Sequence, residues 1–176
     1  EGAIEAADRL RRPPPPAMIG TLSLRPVLPE DEPFLFLLYA STREVEIESF
    51  GWGDAETDAF LQHQFKAHQH HYAAISPQAD QRVVLLGGRP VENLIVIRAQ
   101  KEIRLAEIAL LSEDRNGGIG SCLIRDLTEE AKERGLALRL HVTKFNRAIR
   151  LYWRLVFVLI GATGTHSFME RGPEVP

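Results

Sequence analysis

Between Ile103 and Gly120 an apolar strand stops at the turn Arg115-Asn116-Gly117-Gly118-Ile119-Gly120, and a helical pattern begins. The order strand, glycine-rich turn, helix restricts the chain to an α/β architecture in which main-chain N–H groups and a helix N-terminus gather into an anion site. Gly117, Gly118 and Gly120 lack Cβ atoms, so a ligand can approach the backbone closely there. Arg115 adds a positive charge beside them. A Walker A loop is excluded because no Lys-Ser/Thr follows the glycines, and the G-x-G-x-x-G of a dinucleotide fold is incomplete. Taken alone, such a turn also serves as a plain connection.

The segments around the turn expect a sheet with helices on its faces. Thr21 to Val27 reads as a first strand. A helix is expected from Pro33 to Ala40, extending toward Ile47, because Glu30, Asp31 and Glu32 favour the positive end of a helix dipole. After Gly51-Trp52-Gly53, Asp54 is placed to cap a second helix whose apolar face is Phe60, Leu61, Phe65, His68 and Tyr72. Arg82 to Leu86 and Val91 to Arg98 flank Gly87-Gly88-Arg89-Pro90 as a hairpin, with a third strand from Ile103 to Leu111. The helix after the glycine turn stops near Gly135, and Leu136 to Thr143 alternates as a strand. Asn146 is placed to cap a last helix, and Phe157 to Ala162 and Thr165 to Met169 form a closing hairpin.

Two motifs together make the pattern specific. Arg115-x-x-Gly118-x-Gly120 follows the strand Glu107-Ile108-Ala109-Leu110-Leu111, and Asn146-x-Ala148-x-x-Leu151-Tyr152 follows one helix and one strand later. In this order the chain, over roughly residues 20 to 170, resembles the GNAT superfamily of N-acetyltransferases. The resemblance implies an α/β (α+β) fold with a mixed, mostly antiparallel sheet of about six or seven strands, splayed in the middle and flanked by about four helices. It implies acetyl-CoA as cosubstrate, with Arg115, Asn116, Gly117, Gly118, Ile119 and Gly120 holding the pyrophosphate and the main chain of Leu110 and Leu111 pairing with the pantetheine arm. Asn146 and Arg154 are further cofactor-side candidates. No metal is implied.

By the same resemblance Tyr152 matches the tyrosine that protonates the departing thiolate; its alternative is a core residue at helical spacing. An amine acceptor with a pKa near 10.4 must lose a proton before it attacks, and two side chains are placed to take it. Glu107 is the one carboxylate within its apolar stretch, and His141 lies on the less apolar face of its strand. A relayed water or a merely structural role stays open for each. Trp52, Phe65, His68 and Tyr72 fall where the family walls its acceptor site, although packing also accounts for Phe65 and Tyr72. His63, His68, His70 and His71 do not make a metal site by spacing, since His63 and His70 sit about 10 Å apart along a helix.

Two departures from the family stand out. The family reads Leu-Tyr-x-x-x-Gly-Phe where this chain has Val156 before Phe157, and Asn93 sits where a glycine is common. A valine in a left-handed turn is strained, so the sequence predicts that the last helix ends another way.

The acceptor is expected to be a small-molecule or peptide amine attacking directly in a ternary complex. The alternative is a non-catalytic acyl-CoA sensor of the same fold, and a weaker one is a domain for another phosphate ligand. A net charge of -3 gives no global attraction to nucleic acid or to an anionic membrane. No apolar run approaches a bilayer span, and one cysteine, Cys122, fits a cytoplasmic protein. Residues 1–19, which include Pro13 to Pro16, read as an extended tail, residues 20–172 as one domain, and 173–176 as a short C-terminal tail. Exposed edges of such a sheet leave room for a homodimer.

Overall fold

The computed structural model describes residues 20–75 and 78–173. The expected tail at 1–19 and residues 174–176 of the C-terminal one lie outside them. Seven strands, β1 (Leu22–Pro26), β2 (Asp80–Leu86), β3 (Arg89–Arg98), β4 (Glu102–Leu110), β5 (Ala137–Thr143), β6 (Val158–Ala162) and β7 (His166–Arg171), form one sheet in the order β1-β2-β3-β4-β5-β7-β6. All pairings are antiparallel except β4 with β5. Five α-helices accompany it: α1 (Glu32–Ser41), α2 (Glu44–Glu48), α3 (Asp54–Ile75), α4 (Ile119–Glu133) and α5 (Ile149–Arg154). The fifth arises because the single helix expected between Pro33 and Ile47 breaks at Thr42 and Arg43.

Strand alternation divides the side chains between two faces. On one, Val84, Leu94, Val96, Leu138 and Leu140 join Ile119, Leu123, Ile124 and Leu127 of α4 and Tyr152 of α5 in the main core. On the other, Asn93, Ile95 and Glu107 face Leu35 and Leu38 of α1 and Phe65 of α3 across a cavity. Asp54 does not cap α3 but is its first residue; the N–H of Gly53 is met by Glu56 Oε2 at 3.3 Å. At the β2–β3 hairpin Gly87 and Gly88 both have positive φ, 58° and 86°, the conformation that a tight antiparallel turn requires.

The parallel pairing of β4 with β5 runs only from Glu102–Ala137 to Leu105–Leu140. Beyond it β4 stays with β3 to Leu110, while β5 stays with β7 to Thr143. The split falls at a bulge: Ile95 pairs with Glu107 and Val96 with Leu105, so Ala106 is the extra residue. A bulge sharpens the local twist, and here it turns β4 away from β5 and opens a wedge-shaped cleft.

The end of α5 corrects the expectation at Val156. The helix does not stop differently; Val156 adopts the left-handed conformation at φ 64°. Its N–H donates to Trp153 O at 3.1 Å and that of Phe157 to Tyr152 O at 3.1 Å, the paired bonds of a Schellman motif. The Phe157 ring lies 5.7 Å from that of Tyr152, the apolar contact that accompanies this motif, and Phe157 is fully buried. Packing of Phe157 therefore holds a turn that its neighbour resists. Because Val156 is 68% exposed, Val156→Gly sacrifices little packing. It is expected to raise stability by about 1–2 kcal/mol, read as a higher urea midpoint with an unchanged slope.

Candidate active site

The glycine turn presents a built anion cradle. Asn116 and Gly118 are both left-handed, at φ 65° and 89°, and Gly118 is the N-cap of α4 with no side chain occupying the helix end. The N–H of Cys122 is the first to close on the helix, donating to Gly118 O at 3.0 Å, so the preceding N–H groups point outward. The first turn of α4 carries no acidic residue. Asp114 just before the turn is neutralised by Arg89, with contacts of 2.6 and 3.0 Å. A helix start of this kind suits an anion. A Cβ at Gly120 would meet Leu151 Cδ2 at 3.7 Å and Ile108 Cδ1 at 3.8 Å, ordinary contact, so packing within the fold does not require glycine there.

The strand edge beside the cradle is open at one of the two expected residues. Leu111 N–H donates to Val91 O at 3.2 Å, so it points toward β3 and not into the cleft. Alternation then turns the N–H and C=O of Leu110 toward the cleft, and its carbonyl accepts from Arg115 Nε at 3.1 Å. Asn146 precedes α5 with its Oδ1 accepting from Ala148 N–H at 2.8 Å, a local turn that itself accounts for the residue. Arg154 is exposed in the last turn of α5.

Tyr152 is 4% exposed on the core side of the cleft. Burial, with the nearby Glu92 carboxyl, pushes its hydroxyl up to about 12. Glu92 is itself fully buried, and neither carboxyl oxygen has a hydrogen-bond partner, so burial drives it well above the ordinary carboxylate range.

The other face holds the cavity, of about 450 Å³. At its base Glu107 accepts from Asn93 Nδ2 at 2.8 Å through Oε1 and meets His68 Nε2 at 3.0 Å through Oε2. Asn93 Oδ1 in turn accepts from Gln81 Nε2 at 3.0 Å. Tyr72 stands beside His68 with ring centroids 4.9 Å apart and donates its hydroxyl to Ala106 O at 3.2 Å, where β4 and β5 part. Burial pushes this phenol up to about 12, with the Glu107 charge a second cause. The cavity therefore lies beside the bulge at Ala106, where β4 and β5 part.

Phe65, His68, Tyr72 and Glu107 come together in this cavity, and Trp52 does not. Trp52 packs against Phe50 and Phe60 instead, at 4.7 and 5.2 Å between centroids. His141 is the residue of β5 immediately past the last pair with β4, exposed, its ring 4.4 Å from Phe168. Burial, then the Arg104 charge, holds it below the ordinary histidine value, so it is neutral at pH 7. Gln81, Asn93 and Tyr39 escaped the sequence reading as site residues. Asn93 alone left a signal, as an amide where a glycine is common. Cys122 is half-buried, its thiol pushed up by burial. Among the described residues no group of three or more His, Cys, Asp or Glu could hold a metal ion, and no helix is long and apolar enough to cross a membrane.

The structure thus combines a split sheet, an open strand edge and a glycine-capped helix at the mouth of the split, an architecture that does not by itself fix a reaction. The chain belongs to the GNAT acetyltransferase family, whose model matches residues 19–157. The PaiA N-acetyltransferase of Thermoplasma acidophilum, solved with coenzyme A, has a similar structure, with a TM-score of 0.64 at 16% identity over 86% of this chain and 99% of that one. An acetyltransferase from Thermus thermophilus gives a TM-score of 0.63 at 18% identity over 88% and 99%. At such identities the likeness is one of fold. No curated protein sequence matches the chain.

Proposed function

We propose that the protein is a cytoplasmic N-acetyltransferase that moves acetyl from acetyl-CoA directly to a primary amine in a ternary complex. The observation that supports the reading is the place of the cavity: Glu107, the only carboxylate in its described lining, is next to Ala106, where β4 parts from β5 on the way to Leu110. Acetyl-CoA supplies the activated acyl group as a thioester. The turn from Asn116 to Gly120 and the first N–H groups of α4 bind its diphosphate, with Arg115 contributing charge. Leu110 offers its N–H to the pantetheine arm as a neighbouring strand would, its carbonyl being engaged by Arg115 Nε.

Glu107 takes the proton from the incoming ammonium, directly or through one water, while Asn93 and His68 hold the carboxylate in place. His141, across the mouth of the cleft on β5, is the second choice as base. Tyr152 faces the sulfur side. With its hydroxyl pushed up to about 12, it is a weaker acid than an ordinary phenol, so its contribution is a hydrogen bond to the sulfur as charge develops there.

Tyr152→Phe tests the reading. We expect kcat to fall by about 10- to 100-fold while the Kd for CoA, measured by calorimetry, stays within a factor of two or so. Equal activity of the two proteins would remove Tyr152 from the chemistry. Tight CoA binding with no turnover of any amine would instead support a non-catalytic acyl-CoA sensor.

A further inference from the structure

The cavity above Glu107 is specific in what it offers a ligand. Its hydrogen bonds run in one direction. A carboxylate only accepts, so Asn93 must present Nδ2 to Glu107 and its oxygen to Gln81; Gln81 must then donate, which leaves the Gln81 side-chain oxygen as a further acceptor on the wall. Each oxygen of Glu107 is bound once and keeps a lone pair for a second donor. Acceptors therefore gather around Glu107, while the Gln69 amide and the Tyr39 hydroxyl add donors to the lining.

The charge balance points the same way. Among the described residues that line the cavity, Glu107 is the only acid, and there is no Lys or Arg. Arg43 stacks on the Tyr39 ring at 5.2 Å, but its guanidinium is bound to Glu46 at 2.9 Å and it is not part of the wall. An anionic group inside would lie near Glu107 with no cation to meet it. The remaining wall is apolar and aromatic. Leu35, Leu38 and Ile95 supply aliphatic surface, and Tyr39 and Phe65 stand 5.7 Å apart. A volume of about 450 Å³ holds a ligand of roughly ten to fifteen non-hydrogen atoms.

We propose that the acyl acceptor is a small free amine with an aromatic or apolar body and no carboxylate or phosphate, seated in this cavity with its nitrogen at Glu107. Amino acids are disfavoured by their own carboxylate, which would lie beside Glu107 with no Lys or Arg in the described lining to meet it. A peptide N-terminus carries more atoms than a space of about 450 Å³ holds.

The assignment rests on the transfer reading, and a matched series separates the two. Phenethylamine, phenylalanine and the tetrapeptide amide Phe-Ala-Ala-Ala-NH2 carry the same ring at the same distance from the amine. With acetyl-CoA and detection of released thiol, kcat/KM for phenethylamine is expected to exceed that for phenylalanine by at least about 100-fold and that for the tetrapeptide by at least about 10-fold. Comparable rates for phenylalanine, or a tetrapeptide better than phenethylamine, would overturn the proposal. Spermidine tests the apolar body: if it outruns phenethylamine, the aromatic wall does not select and the proposal fails. If no amine is turned over, calorimetric titration of the CoA-loaded protein decides. Phenethylamine binding at least 100-fold tighter than phenylalanine keeps the pocket assignment and defeats the transfer reading; equal or absent binding defeats the pocket assignment.

Discussion

Glu107→Gln is expected to lower kcat/KM for the preferred amine by about 10²–10⁴-fold, the usual contribution of a positioned general base. The substitution is nearly isosteric, so the loss reports chemistry and not packing. Asn93 can still donate to the side-chain oxygen, and His68 can switch tautomer to accept where it donated. CoA affinity should not change, because the cradle at Asn116 to Gly120 belongs to another part of the fold. His141→Ala is the control. Its imidazole is exposed and packs on Phe168 outside the cavity, so rates within a few-fold of wild type are expected. If Glu107→Gln keeps full activity and His141→Ala loses it, the proton leaves through β5 and not β4.

His68 shows why the site has to be tested as a unit. It touches Glu107, Tyr39 and Tyr72, so removing it disturbs the carboxylate and two rings together. Only a double-mutant cycle with Glu107 separates its share.

What the sequence allowed to be read, and what it did not, follows from the range of the interactions. The glycine turn, the hairpin at Gly87-Gly88 and the stop at Gly135 are local, set by backbone conformations that few residues adopt, and each is where the sequence expects it. The seven-stranded order follows from the family resemblance, not from the pattern of any one strand. The cavity was only half legible. His68 and Tyr72 are visible as one helical face, but Gln81, Asn93 and Glu107 come from three strands and meet through sheet register, which alternation alone does not fix. Leu111 N–H points to β3 because a single residue decides which way a strand N–H faces. Trp52 lies outside the cavity lining because a large aromatic ring packs with the rings it can reach, here Phe50 and Phe60. Val156 reversed the expectation because the packing of Phe157 on Tyr152 outweighs the local strain.

Glu92 makes the second large prediction, this time in stability. It lies in β3 opposite Leu110, fully buried, with both carboxyl oxygens unpaired. A polar group buried without a partner costs about 1–3 kcal/mol, so Glu92→Met is expected to stabilise the protein by about that amount at pH 7. For a domain of this size that corresponds to roughly 2–12 °C in Tm. The sign of the pH dependence distinguishes this cause from better packing. Burial raises the folded-state value well above the 4.5 of an unfolded glutamate, so between those two values the folded protein holds a proton that the unfolded chain has released. The unfolded state binds fewer protons there, and wild-type stability must fall as pH rises through that window. Below the unfolded value both states are protonated and this part of the penalty vanishes. The advantage of Glu92→Met should therefore already be present at pH 4, where the neutral carboxyl is still buried without a partner, and grow toward pH 8, as urea midpoints at the two pH values will show. An advantage independent of pH would mean that Glu92 titrates normally. A loss of stability would mean that the carboxyl is held by partners.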